Sequence, residues 1–170
     1  MTDTRNKRVK KYVIYCLFIL IAELLQNVSG IIPEIFGARC FLIIPTVMIL
    51  TSGEGELSAS LLGLFAGALW DISSATHMGF NCIFFALTCF IASALVNNII
   101  RNTFITNIII CSSVAVLYSL VYWLCFIVIK GTGGEAYTLF AFYLPSVIYT
   151  VAASAIAYFI FKPIKARLKV

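Results

Sequence analysis

Residues 63–71 read GLFAGALWD: two glycines four residues apart in an apolar run, closed by a tryptophan and an aspartate. Ala59 stands four residues before Gly63, so Ala59, Gly63 and Gly67 recur on one face of a helix. Small residues at that spacing let two backbones approach closely, which is how helices associate in lipid, where no hydrophobic drive separates them from their solvent. Asp71 then sits at the helix C-terminus, where a negative charge opposes the macrodipole. Something other than helix propensity must place it there, and another glycine, Gly79, follows eight residues later.

The surroundings of this stretch decide the medium. The chain has 170 residues, 62% hydrophobic and only 11% charged, against roughly a quarter charged in a water-soluble domain. Mean hydropathy is +1.03. Apolar stretches approach or exceed the roughly 20 residues that cross a bilayer as a helix. The sequence therefore predicts an all-α, polytopic transmembrane bundle of about six spans, at 12–32, 39–52, 57–72, 78–97, 104–129 and 138–161. Turn-forming separators divide them: PEIFG, GEGE, SSATH, NNIIRN and KGTGGEAY. Residues 1–11 and 162–170 read as basic tails around a transmembrane domain at 12–161. The stretch after MTDTRNKRVKK is too long for a signal-peptide core and lacks a small-x-small cleavage site, so it reads as a retained first span.

Lysine and arginine set the expected orientation. With both termini cytoplasmic, ten of the twelve basic residues fall inside and only Arg39 and Lys130 outside, as the positive-inside rule demands. The basic pI thus reflects insertion in the bilayer and not nucleic-acid binding. Spans two and three are short, and Pro45 is expected to interrupt the second. Tyr12, Tyr15, Trp70, Trp123, Tyr137 and Tyr158 fall near expected interfaces, as an aromatic belt would.

Few residues carry chemistry. The six cysteines lie in or beside apolar runs without a C-x-x-C pair, and His77 is the single histidine, so no metal site is expected. No nucleophile–base pair, phosphate loop or catalytic carboxylate pair is visible, and neither enzyme nor cofactor is expected. Glu23, Gln26 and Asn27 share one face of the first span. A carboxyl at mid-bilayer should face protein or water, either as glue between helices or in a substrate pocket. Asp71 reads as a clamp accepting N–H groups of its own 71–74 turn, with Ser74 or Thr76 capping the fourth span and Gly79 allowing close approach; proton or ligand binding is the alternative. The Asn97–Asn102 region reads as a solvated turn. The Ala59, Gly63, Gly67 face fits either packing within the bundle or docking of another protein's helix.

The stretch IIPTVMILTSGEGELSASLLGLFAGALWDISSATHMGFNCIFFAL resembles the bacterial rod shape-determining MreD family, in a G-x-x-x-G-x-x-x-D run followed by M-G and an apolar helix. Here those positions are Gly63, Gly67, Asp71 and Met78–Gly79. LLQNVSGIIPEIFGARC, with Gln26 and a proline-glycine turn, is similar to the family's first-span exit, although Arg39–Cys40 replaces a proline-aspartate pair often found there. The resemblance covers residues 12–97; the last two spans match in hydropathy and length alone. It implies a non-enzymatic inner-membrane component of the cell-elongation machinery, paired with a single-span MreC-type partner. Through that partner it would connect an MreB-type filament to peptidoglycan synthases. On this reading Ala59, Gly63, Gly67, Trp70 and Asp71 form the partner-docking surface. The family's fold is also similar to that of vitamin-binding S components of energy-coupling-factor transporters, which supplies a second reading. Those proteins carry an Ala-x-x-x-Ala motif on the first helix, and residues 12–32 contain only Ala22.

Overall fold

The computed structural model describes residues 2–28, 39–74, 79–129 and 139–168. The separators PEIFG (33–37) and KGTGGEAY (130–137), Thr76, His77, Met78, Lys130, Tyr137 and Lys169 lie outside them. Six helices account for almost all of what is described: α1 (Thr2–Asn27), α2 (Ile43–Thr51), α3 (Glu56–Ser74), α4 (Phe80–Asn98), α5 (Phe104–Trp123) and α6 (Leu144–Arg167). A π-helical turn, Leu124–Val128, prolongs α5, and another, Leu139–Tyr143, precedes α6. The described residues contain no strand. Helices α3, α4, α5 with its π-turn, and α6 are each long and apolar enough to cross a membrane. The third span is thus a full-length helix of 19 residues, longer than the sequence led us to expect.

The shortness of α2 has a physical cause. All nine of its residues are buried, because it runs through the middle of the bundle. Pro45 does not interrupt it: the proline lies in the first helical turn, where its missing N–H is no loss. The chain ahead of α2 is not helical, and backbone donors at membrane depth must then find partners within the protein. The Arg39 N–H donates to Ser146 Oγ at 3.1 Å, the Phe41 N–H to Thr150 Oγ1 at 3.1 Å, and the Ile43 N–H to Gln26 Oε1 at 3.1 Å. Ser146, Thr150 and Ser154, four residues apart on α6, are all buried.

At the other end of α2 the chain turns through residues 52–55 into α3. Lys165 of α6 donates from Nζ to the Ile49 carbonyl at 2.7 Å and also to the Ser52 carbonyl. Lys11 of α1 pairs with Glu54 at 2.7 Å, and Tyr15 donates to the same carboxylate at 3.2 Å. The first and last helices therefore meet one loop, so the basic ends of the chain lie at one end of the bundle. Residues 97–102 are exposed, as a solvated turn would be, and two of their amides also brace this loop: Asn97 donates to the Glu54 carbonyl at 2.7 Å, and Asn102 donates to the Ser52 carbonyl at 3.2 Å.

Candidate functional site

Helices α3 and α4 run antiparallel as the closest pair in the bundle, and the glycines explain why. A Cβ at Gly67 would overlap the Asn81 carbonyl and stand 2.6 Å from Cys82 Cα. One at Gly63 would overlap the Phe85 carbonyl and stand 2.8 Å from Cys89 Sγ. Ala59 on the same face is fully buried. The face is filled by α4 of the same chain, so of its two readings the packing within the bundle is the one seen, and Ala59, Gly63 and Gly67 are not open to a partner's helix.

Asp71 completes the joint. The residues at the start of α4 leave several N–H groups without carbonyl partners, as every helix N-terminus does. The N-cap position is Gly79, with φ +96°, a left-handed conformation that favours glycine and brings no side-chain oxygen of its own. Asp71 supplies that oxygen from the neighbouring helix. Its Oδ2 accepts from the Gly79 N–H at 2.9 Å and the Cys82 N–H at 3.2 Å. Its Oδ1 accepts from the Asn81 N–H at 3.3 Å and the Asn81 side-chain amide at 2.9 Å. The carboxylate is only 3% exposed. It serves the next helix and not its own 71–74 turn as the sequence suggested, so its charge sits at the positive end of the α4 dipole. Among the described residues the α4 N-cap is Gly79 and not Ser74.

Trp70 turns out to be core and not interface. Its ring stacks on Tyr118 at 5.0 Å and on Phe85 at 5.5 Å, with Phe41 at 5.7 Å. Tyr15 and Tyr158 are buried too, so the aromatic belt loses these three. All five residues proposed for docking thus lie inside the fold.

Glu23 ties α1 to this end of the bundle. Its Oε1 accepts from Asn27 Nδ2 at 2.7 Å and from the Ser73 hydroxyl of α3. Gln26 does not join that pair; it turns to α2 and caps Ile43 instead. Beside these groups a cavity of about 400 Å³ opens between α1, α3, α4, α5 and the π-turn before α6. Among the described residues no group of three histidine, cysteine or acidic side chains could hold a metal.

A buried helix pair sealed by a carboxylate, within a bundle holding four helices of membrane-spanning length, defines a polytopic α-helical membrane protein. No curated protein and no solved structure matches the chain. The model of one family, described as rod shape-determining protein MreD, matches residues 6–164, and the chain belongs to that family. It is a rod-shape-determining membrane protein.

Proposed function

We propose that the bundle is a membrane adaptor of the bacterial elongation machinery in the inner membrane. It would hold a single-span MreC-type partner, and through it an MreB-type filament and the peptidoglycan synthases, without catalysing a reaction itself. The basic termini lie on the cytoplasmic side in this reading, as the charge bias asks. Family membership supports the setting. The observation that carries the adaptor role is a stripe on α1: Val13, Leu17, Leu20 and Leu24, spaced four, three and four, all exposed, with Leu17 at 55%. That spacing is the seam along which two helices pack side by side. A partner helix along it displaces lipid without disturbing the core.

Depletion followed by microscopy tests the setting: rods should round up, and retained rod shape would contradict it. Co-purification tests the surface. Leu17→Trp with Leu24→Trp should lose the single-span partner while the bundle stays folded; undiminished capture would move the docking face off α1.

A further inference from the structure

One layer of the bundle carries more charge than the fold uses. Lys11 and Lys165 meet the 49–54 segment from α1 and α6, which sets both helices at one depth. Arg8, Lys10, Lys162 and Arg167 each stand within three residues of one of them, about 5 Å or less along a helix axis. Arg101 joins the layer, since its neighbour Asn102 donates to the Ser52 carbonyl of the same segment. All five are exposed, and none pairs with an acid among the described residues. Only Lys162 has a contact within the fold, over the Tyr158 ring at 5.6 Å. The acids of the layer are Glu54, neutralised by Lys11, and Glu56, which accepts from Asn98. On α6 an exposed apolar stripe leads to this charge. Ile156 and Ile160 are exposed, and Arg167 follows Ile156 by three helical turns on the same face. Phe159, also exposed, stands one turn before Lys162. Its ring meets that of Phe104, which follows Arg101 by three residues, at 5.3 Å.

We propose that this end of α6 is a binding site for an anionic phospholipid. Its phosphate and head group rest among Arg101, Lys162 and Arg167, and its acyl chains lie along Ile156, Phe159 and Ile160. The head-group region of a bilayer is roughly 5–7 Å deep on each side, which is the depth over which these cations are spread. Clusters of about four to eight basic residues beside a transmembrane helix attract anionic head groups. A zwitterionic lipid offers the same chains without net charge, so the site selects by charge. An acidic protein segment would answer the cations and leave the apolar stripe unused, which makes lipid the occupant. The inference needs the helices to cross a membrane and does not rest on the adaptor reading, whose stripe lies on α1.

The test equilibrates the full chain in mixed micelles holding phosphatidylglycerol and phosphatidylcholine of matched chains in equal amounts. Mass spectrometry of the intact complex then counts the lipids retained. The parent should keep phosphatidylglycerol over phosphatidylcholine by about fivefold or more, the factor that one basic residue near a membrane surface contributes. High salt should shrink that preference, because exposed charges are screened. Two double variants separate a site from diffuse attraction, since each removes two exposed charges. Lys162→Gln with Arg167→Gln should bring the ratio close to one, whereas Arg8→Gln with Lys10→Gln should keep most of the preference. Circular dichroism should show parent helicity in both, because these side chains stand outside the bundle. An equal loss in the two double variants overturns the proposal by reducing it to overall charge. Equal retention of both lipids by the parent overturns it too, and leaves the cations to an acidic protein. These readouts are independent of cell shape and partner capture.

Discussion

The two ends of the bundle solve the same problem in opposite ways. At the end where α3 meets α4, one carboxylate collects four N–H donors, all within eleven residues of it in the chain. At the other end, the carbonyls of residues 49–54 receive side chains from α4, α6 and the 99–103 turn, while α1 grips Glu54, and the partners lie as far as 116 residues away. Both ends satisfy non-helical backbone where lipid offers no hydrogen bonds. The first is a local device, fixed by a short motif. The second is a knot that forms only when the whole chain has assembled. A local device should fail at one residue; the knot should weaken by degrees.

The largest effect should therefore come from Asp71→Ala. Four donors lose their acceptor, and each orphaned group costs roughly 1–3 kcal/mol, so the loss should be at least about 3 kcal/mol in reversible unfolding from mixed micelles. Asp71→Asn, which keeps one acceptor oxygen, should recover part of it. Next comes Lys165→Met, which takes an ammonium from the Ile49 and Ser52 carbonyls. We expect about 1.5–3 kcal/mol from charge-assisted bonds of this kind, with the remaining contacts of the knot still holding. Gly67→Ala should fall in a similar range or slightly lower, about 1–3 kcal/mol by overpacking, because its Cβ meets backbone that cannot step aside. A Gly67→Ala protein as stable as the parent would show that α4 sits further from α3 than described. The smallest effect belongs to Leu17→Ala on the lipid-facing stripe, within about 0.5 kcal/mol as for other exposed sites.

The contrast also explains what could be read in the chain beforehand. The order of the helices is plain from hydropathy, since apolar length and turn residues are local signals, but their bounds are not: α1 begins at Thr2, inside the stretch that reads as a basic tail, and α6 runs on to Arg167. The small-residue face was plain too, but a face does not say what covers it. Gly63 and Gly67 look the same in sequence whether the neighbour is α4 or another protein. Asp71 reads as a clamp in the sequence, but nothing within its own segment points past the 71–74 turn to the next helix, whose N–H groups it holds. The signal that could have redirected it was Gly79, a glycine where a helix should open with a capping oxygen. Trp70 was placed at the interface because aromatic residues near span ends usually sit there; Tyr118, nearly fifty residues away, holds it in the core. Ser146, Thr150 and Ser154 carry a signal of their own, since three small hydroxyl residues four apart in an apolar span mark a polar seam. Lys165 read as one more inside charge, when its task is to close α2. Long-range partners of this kind are set by the packing of α6 against α2, which spacing within one segment does not encode.

The central claim is that Asp71 caps the helix after it, making the glycine-aspartate run an internal joint. Amide hydrogen exchange in nanodiscs, read by mass spectrometry over residues 79–82 in the parent and in Asp71→Ala, tests it most directly. The account predicts that protection of the Gly79, Asn81 and Cys82 amides collapses in the variant while α5 and α6 keep theirs. Equal protection of those three amides in both proteins would contradict it.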